Sequence, residues 1–279
     1  MTFEYVCFSI TSQCNLECPY CYRVNSNSLN ISNHSFKACI ERLKELGCKV
    51  VNITGGEPLL HPDWKEFVDM ARKYGINVIL STNTVLLDLD EPMLKLINVL
   101  TIPLDGYNQD VNSKTRGYLH YQCALNTIVK YNSGHYPFRL KINTVLTKYN
   151  YDSAFLLGNF VCKNTIWKMF ICKRKGVYNH LPLDAFISEG EYLTKVNEIQ
   201  AMPIEGTFMY EDCVNDAHGT NEYTIVDSNG NIYLSTADVD IYIGNLLVET
   251  KSNILNAVDS RGLMIKPYQS LNGLDELFL

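Results

Sequence analysis

Three cysteines that lie close together near the start of the chain are the first residues to suggest a chemistry. Cys14, Cys18 and Cys21 are separated by three and by two residues, in a loop that also holds asparagine and proline. Three thiolates from one short loop suit an iron–sulfur cluster, and a cubane held by three cysteines would leave one iron open to another ligand. A structural zinc site would need a fourth ligand, such as His34 or a distant cysteine. Buried thiols without a chemical role are the third interpretation, which the polar loop disfavours.

A second candidate motif is the glycine pair Gly55-Gly56, which Glu57 and Pro58 follow. Paired glycines let a ligand approach the backbone and expose N–H groups, and the Glu57 carboxylate could hold an ammonium group. The same residues could instead form a tight strand-to-helix turn. The pair comes one β–α unit after the cysteine loop, which places both motifs on the rim where barrel enzymes keep their active sites.

The elements that must position these motifs alternate between strands and helices over the first 175 residues. The apolar patterns predict strands at 6–10, 50–54, 78–81, 99–104, 139–146 and 166–172, and helices at 32–46, 63–74, 91–97, 120–131 and 153–162. Six β–α repeats favour parallel strands with right-handed crossovers. A complete eight-fold barrel takes about 250 residues. We therefore predict an α/β fold, a partial (βα)6 TIM-like barrel, with a doubly wound open sheet as the alternative.

The pattern changes after residue 175. A helix is predicted at 188–202, a β-hairpin at 222–226 and 232–234 around the turn signal Asn229-Gly230, and a short strand at 240–243. We divide the chain into a barrel core at 1–175 and an α+β C-terminal extension at 176–279. The extension is expected to cover the open side of the barrel.

Composition limits the classes of protein that this chain can be. It has 279 residues, 46% of them hydrophobic, and a net charge of -6 with no basic stripe, which argues against binding a nucleic-acid polymer. No apolar run approaches the roughly 18 residues of a membrane span. Residues 1–5 lack the basic segment and cleavage site of a secretory signal. With ten cysteines, we expect a cytoplasmic protein with reduced thiols and no membrane partner.

Together, the two motifs resemble those of the radical S-adenosylmethionine (SAM) superfamily. The resemblance lies in the three cysteines, in the aromatic Tyr20 before the last of them, and in the Gly-Gly-Glu-Pro turn, and it covers about residues 5–175. It implies that Cys14, Cys18 and Cys21 hold a [4Fe–4S] cluster whose open iron chelates SAM. It also implies reductive cleavage of SAM to a 5′-deoxyadenosyl radical, with an electron donor such as flavodoxin or ferredoxin.

The same resemblance implies a set of cofactor-binding residues. Gly55, Gly56 and Glu57, with Pro58 completing the turn, would meet the methionine amino group. The ribose and carboxylate of SAM would meet Ser81, Thr82 and Asn83, and Tyr20 would pack near the cluster or the adenine. Asp105 and Arg116 could pair across the barrel mouth. Loop capping by small polar residues and a structural ion pair are the alternative interpretations.

Alternation along strands five and six predicts which side chains face the barrel interior. Lys141 and Asn143 should face inward from strand five, and Lys168, Cys172 and Arg174 from strand six. Several cations aimed at one cavity indicate an anionic small-molecule substrate, a phosphate or a carboxylate. Alternatively, one cation holds the SAM carboxylate and the others are solvated rim charges. We assign substrate binding to the three cations and the amide.

Cys172, Lys141 and Asn143 are the predicted catalytic residues. Cys172 could donate a hydrogen atom to a substrate radical, although buried packing is the plainer interpretation of a cysteine at this position. The residues at 141–145 with Asn150, and the run Trp-Lys-Met-Phe at 167–170, resemble the viperin-like nucleotide dehydratases. That resemblance implies a nucleoside triphosphate losing its 3′-hydroxyl.

The resemblance to the dehydratases has limits, and two other functions stay open. Ile166 stands where a basic residue is common, and the chain from Leu181 onward is unlike that branch. The substrate is therefore predicted only as a nucleotide, nucleoside or sugar derivative. The hairpin at 224–234 resembles radical SAM peptide maturases, but Ser235 replaces their cysteine, and Cys162, Cys172 and Cys213 are too dispersed for a second cluster. A non-catalytic iron–sulfur or zinc module is the third candidate, and the intact glycine turn disfavours it.

Overall fold

A computed structural model describes residues 2–22, 30–176, 178–211, 223–236 and 239–265. Cys213, the first residue of the predicted hairpin (Glu222) and the end of the predicted extension (266–279) lie outside the described residues. Within the described residues, no helix has the length and apolar character needed to cross a membrane.

One sheet of ten strands organises the fold. Its core is six neighbouring parallel strands: β1 (Tyr5–Ser9), β3 (Val50–Thr54), β4 (Asn77–Ser81), β5 (Val99–Pro103), β6 (Arg139–Leu146) and β7 (Thr165–Ile171). A separate short ladder pairs β2 (Tyr20–Cys21) with β8 (Tyr178–Asn179). All six core strands end on the same rim, and the cysteine loop and the glycine pair follow β1 and β3 there. The predicted α/β partial barrel is confirmed.

Helices cover the outer face of this sheet. They are α1 (Asn33–Glu45), α2 (Trp64–Lys73), α3 (Gln109–Arg116), α4 (His120–Ser133), α5 (Glu189–Gln200) and α6 (Lys251–Asp259). The α1 helix starts where predicted because the Ser32 side chain accepts a hydrogen bond from the Ser35 N–H at 3.1 Å. Its apolar face of Phe36, Cys39, Ile40 and Leu43 is buried against the sheet.

The extension lengthens the sheet at both of its edges. Strand β9 (Thr207–Tyr210) pairs with β7 in parallel, and β10 (Tyr223–Val226) pairs with β1. The predicted hairpin continues from β10 into β11 (Asn231–Ser235), and β12 (Asp240–Asn245) follows. Gly230, at φ +79°, occupies the left-handed position that the hairpin turn requires. The division at residue 175 stays a prediction.

Several elements differ from the sequence prediction. The helix predicted at 91–97 is a short 3₁₀ helix at Pro92–Leu96. The predicted helix at 153–162 is a 3₁₀ helix at Tyr151–Phe160. A 3₁₀ helix of ten residues is about 20 Å long, whereas an α-helix of ten residues is about 15 Å long. The longer form is closer to the length of the neighbouring strands, which the connection from β6 to β7 must run back along. The prediction also missed α3, because its buried residues, Asn112 and Thr115, are polar and form no apolar stripe.

Candidate active site

A cavity of about 440 Å³ opens on the rim that carries the two motifs. The three cysteines line it together with Tyr20, Gly55, Gly56, Ser81, Thr82, Asn83, Arg116, Lys141, Asn143, Lys168 and Cys172. Side chains from core strands and from β10 and β11 therefore surround one chamber. Most of the predicted site residues meet there, whereas Glu57, Pro58, Asp105 and Arg174 do not line it.

The cysteine loop is half-buried and braced by its own backbone. Cys21 N–H donates to the Cys18 carbonyl at 3.0 Å, and Leu16 N–H contacts the Cys14 sulfur at 3.4 Å. Among the described residues, no three Cys, His, Asp or Glu side chains lie close enough together to hold a single metal ion. A four-iron cubane binds each thiolate through a different iron, so its ligands need not converge on one point. Three thiols in one cavity wall are a donor set that fits such a cluster.

The glycine pair supports the cysteine loop, a role that the sequence analysis did not assign to it. A Cβ on Gly55 would lie 2.4 Å from the Thr11 carbonyl oxygen, and one on Gly56 would lie 2.1 Å from that of Gln13. The Gly56 and Glu57 N–H groups donate to these same two carbonyls, at 2.8 and 2.7 Å. The sequence predicted that N–H groups of this turn are exposed to a ligand. In the structure, the Gly56 and Glu57 N–H groups are instead used within the protein.

Glu57 corrects a second expectation, because its carboxylate faces the protein interior. It is fully buried and accepts hydrogen bonds from the Leu59 N–H (3.1 Å), the Thr82 hydroxyl (2.7 Å) and the Asn83 N–H (2.6 Å). Burial raises the pKa of this carboxyl despite those bonds. Glu57 therefore holds the segment after β4 in place and does not reach the cavity. Pro58, also buried, begins a one-turn 3₁₀ helix.

The segment after β4 links this turn to the cysteine loop. Asn83 donates to the Asn15 side chain at 2.6 Å and approaches the Cys14 sulfur at 3.9 Å. Ser81 donates to the Asn52 side chain at 2.7 Å. Because Ser81, Thr82 and Asn83 also line the cavity, they can both cap the loop and meet a bound cofactor.

The predicted pair of Asp105 and Arg116 forms, with Nε 2.7 Å from the carboxylate. Asp105 also accepts from the Tyr20 hydroxyl and, at 2.8 Å, from the Val145 N–H. The Arg116 guanidinium lies 4.8 Å from the centre of the Tyr20 ring. The fully buried Asp105 thus orients two cavity-lining side chains and does not line the cavity itself, so its role is positioning.

A buried amide holds this aspartate in turn. The Asn112 side-chain oxygen accepts from the N–H groups of Asp105 (3.1 Å) and Gly106 (3.3 Å), and its nitrogen lies 3.0 Å from His120 Nδ1. Burial lowers the pKa of His120 to about 3, so the ring is neutral. Asn112 and His120 were not predicted as site residues, because a polar pair between α3 and α4 has no periodic signal in the sequence.

The inner end of the cavity carries positive charge, as predicted. Lys141 and Lys168 are buried, and burial lowers their pKa values to about 7 and about 8. Lys168 Nζ lies 3.3 Å from the Tyr223 hydroxyl and 4.9 Å from the centre of the Phe170 ring. The alternation also places Tyr5 and Cys7 of β1 in this chamber, which the same period-two pattern could have identified.

Arg174 does not face the cavity, and its predicted inward position was wrong. It is exposed, outside the cavity, with its guanidinium 5.0 Å from the centre of the Phe186 ring. Strand β7 ends at Ile171, so the period-two alternation does not extend to residue 174. Lys173 and Lys175 line the cavity instead, with ion pairs to Glu211 at 3.5 Å and to Asp240 at 2.9 Å.

Cys172 lies in the cavity wall, as predicted, and packs with Tyr20, Leu181 and Ala185. Burial raises the pKa of its thiol to about 12, so the sulfur keeps its hydrogen at neutral pH. Ser235, which stands where the maturases place a cysteine, accepts from Lys175 Nζ at 2.9 Å and lies 2.8 Å from the Tyr22 hydroxyl.

Curated relatives include one nucleotide dehydratase that matches almost the whole chain and one cyclase that matches two thirds of it. A S-adenosylmethionine-dependent nucleotide dehydratase of Flammeovirga pacifica is 26% identical and covers 92% of this chain and 93% of its own. A GTP 3′,8-cyclase of Synechocystis sp. is 31% identical and covers 68% of this chain and 60% of its own.

Solved structures share the fold at low identity. Streptococcus suis SuiB bound to S-adenosylmethionine matches with a TM-score of 0.72 at 16% identity, over 97% of this chain and 70% of that one. For SuiB without ligand the match spans 60% of that chain. The anSMEcpe enzyme with bound AdoMet gives 0.69 at 16% identity, over 93% and 82%.

The family itself is shown by a direct match. Residues 8–155, which include the cysteine loop, the glycine turn and most of the barrel, match the Radical SAM superfamily. The motifs, the fold and the relatives agree with that match. The chain is an enzyme of the radical SAM superfamily, whose members use a [4Fe–4S] cluster and S-adenosylmethionine.

Proposed function

We propose that this enzyme modifies a small anionic substrate, a nucleotide in the first instance, by hydrogen abstraction within the barrel. When bound, the cluster and SAM supply a 5′-deoxyadenosyl radical, with flavodoxin or ferredoxin as the electron source. Cys14, Cys18 and Cys21 would hold the cluster. Gly55, Gly56, Ser81, Thr82, Asn83, Tyr20 and Arg116 would surround SAM, while Glu57 and Asp105 would keep these segments in position.

The observation that carries the proposal is a pair of polar groups on β6 that face the cavity. Lys141 is only 4% exposed and forms no ion pair with a described carboxylate. Two residues along, the Asn143 side-chain oxygen is buried and accepts no hydrogen bond from a described residue. A buried cation and an orphaned acceptor are costly without a ligand. A phosphate could bind the ammonium, and a sugar hydroxyl could donate to the amide.

Lys168 and Cys172 complete the proposed substrate site. Lys168, on the neighbouring strand, adds a second cation, and its charge contributes to the lowered pKa of Lys141. Cys172 is proposed to donate a hydrogen atom to the substrate radical after water is lost, and the thiyl radical that this leaves would take one electron from the same electron source and one proton from solvent. The relatives named as nucleotide dehydratases, which match almost the whole chain, favour loss of one water from a nucleoside triphosphate.

The test is an anaerobic assay with the reconstituted, reduced enzyme and SAM. We expect 5′-deoxyadenosine to increase several-fold with one nucleoside triphosphate of a panel that also contains sugar nucleotides and nucleosides. The nucleotide should lose one water by mass spectrometry. Cys18→Ala controls for the cluster, and Lys141→Met should lose the stimulation while retaining uncoupled SAM cleavage.

Two results would contradict the proposal. Stimulation by a peptide and by no nucleotide would favour the maturase alternative. The similarity of this chain to SuiB and anSMEcpe concerns the fold alone. A fully loaded enzyme that cleaves no SAM under any condition would favour the non-catalytic module.

A further inference from the structure

A surface patch on the rim that carries the cysteine loop is unused by the site described above. We call it the rim patch and define it by Lys114, Tyr149, Arg174, Leu183 and Phe186. These residues come from α3, the segment after β6, the segment after β7, and the one-turn helix at Leu183–Ala185 and its end. Leu183 is 69% exposed, and Lys114 and Arg174 are exposed beside half-buried rings.

The rim patch rests directly on the layer that neighbours the cysteine loop. Tyr149 and Phe186 pack on a buried group made of Tyr20, Cys172, Leu181 and Ala185. Tyr20 immediately precedes Cys21, so the rings of the patch pack on a group whose member Tyr20 is the direct chain neighbour of the last cysteine of the motif. Electrons that reach the cysteine loop from outside can therefore enter through this surface without crossing the substrate chamber.

Two cations on aromatic rings give the patch its character. Lys114 Nζ lies 5.7 Å from the centre of the Tyr149 ring, and the Arg174 guanidinium lies 5.0 Å from that of Phe186. Neither cation forms an ion pair with a described carboxylate. Elsewhere on the surface, lysines such as Lys65 are paired, here with a glutamate at 2.7 Å.

The rim patch combines one exposed leucine, Leu183, with two cations. Transient protein complexes bury small interfaces of this kind, and complementary charge steers their association. In a chain of net charge -6, a locally positive surface favours an acidic partner over a second copy of the chain. Asp184, next to Leu183 and also exposed, is a carboxylate that opposes this charge.

We infer that the rim patch is the docking surface for an acidic one-electron carrier protein, of the flavin or iron–sulfur class, that reduces the enzyme. The carrier loses one electron, the enzyme gains it, and no bond is made or broken. This inference rests on the reductive chemistry of the superfamily and is independent of the nucleotide substrate proposed above.

The test compares a charge-reversed double variant, Lys114→Glu with Arg174→Glu, with a matched control, Lys163→Glu. Lys163 is exposed in the turn before β7, at the opposite end of the barrel from the cysteine loop. Binding of oxidised flavodoxin to the cluster-free and the reconstituted enzymes is measured by calorimetry at low ionic strength. The double variant should bind at least about 10-fold more weakly, and the control should bind like the wild type.

Reduction of the cluster, followed by its absorbance in stopped flow without substrate, separates docking from damage. Flavodoxin hydroquinone should reduce the double variant more slowly, whereas dithionite should reduce all three proteins at the same rate. Asp184→Lys should strengthen flavodoxin binding, a gain that a misfolded protein cannot show. Added salt should weaken wild-type binding more than that of the double variant.

Three outcomes would overturn the inference. Wild-type flavodoxin affinity in the double variant would show that the carrier docks elsewhere. Equal slowing with flavodoxin and dithionite would place the effect at the cysteine loop. Loss of stimulation by a peptide, with flavodoxin reduction unchanged, would assign the patch to a peptide partner. Because the flavodoxin binding and cluster reduction measurements contain no substrate, failure of the nucleotide proposal would leave them unaffected.

Discussion

The two buried lysines of the cavity make substrate affinity depend on pH near neutrality. Burial lowers the pKa of Lys141 to about 7, with the charge of Lys168 as the second cause, and that of Lys168 to about 8. A lysine is charged below its pKa, so both ammonium groups are present in mildly acidic solution and are lost in turn as the pH rises. An anionic substrate should therefore bind most tightly below pH 7 and progressively more weakly above it.

The size of the effect follows from the two pKa values. With values of about 7 and about 8, the fraction of enzyme with both lysines charged falls about 10-fold between pH 7 and pH 8. Lys141→Arg keeps its charge throughout this range because a guanidinium does not deprotonate. In that variant only Lys168 titrates, and the corresponding fall is about 2-fold.

The assay is calorimetry of the stimulating nucleoside triphosphate with the anaerobic enzyme and SAM, at pH 7 and pH 8 and at constant ionic strength. Titrations in buffers of different ionisation enthalpy would show proton uptake on binding, larger at pH 8. Lys163→Arg serves as the surface control and should keep the wild-type slope. Equal affinities at the two pH values, or the same slope in Lys141→Arg, would refute the reasoning.

Three further outcomes are expected. Cys18→Ala should lose the absorbance of the reconstituted cluster and 5′-deoxyadenosine formation, while its far-ultraviolet circular dichroism stays that of the wild type. Gly56→Ala should bind less iron because its Cβ would lie 2.1 Å from the Gln13 carbonyl oxygen; Gly158→Ala, whose nearest neighbour would be 3.7 Å away, should load normally. Asp105→Asn should lower the free energy of unfolding by about 3 kcal/mol in urea denaturation, because the guanidinium beside it loses a buried counter-charge. Unchanged iron content in Gly56→Ala, or an unchanged urea midpoint in Asp105→Asn, would contradict the assigned roles.

The inward-facing residues of the strands could be predicted because a strand alternates with a fixed period. Lys141, Asn143 and Lys168 lie in the cavity wall, as the pattern indicated, and so does Cys172, the first residue after β7. The prediction was wrong for Arg174, where the strand had already ended and the period no longer applied. The strand β9 was missed because its four residues, with no alternating burial, carry no signal of their own and are recruited by the open edge of β7.

The glycine turn shows a different limit. Its residue types identified the rim and the family, but not which groups face a ligand. The sequence predicts Glu57 as a cofactor-binding residue, yet in the fold its carboxylate accepts three hydrogen bonds from the protein. Two of these bonds come from Thr82 and Asn83, which lie 25 and 26 residues further along the chain, and no local pattern encodes them.

By itself, the sequence determined the succession of β–α units, the rim on which the motifs meet, and the cysteine donor set, because these depend on short-range spacing and on the chirality of parallel crossovers. Only the tertiary structure decided which carboxylates are used internally and that the extension joins both edges of the sheet. It also decided that Lys141 forms no ion pair with a described carboxylate and that the Asn143 side-chain oxygen accepts no hydrogen bond from a described residue. Those features depend on which distant segments become neighbours, and burial then sets their hydrogen bonds and their pKa values.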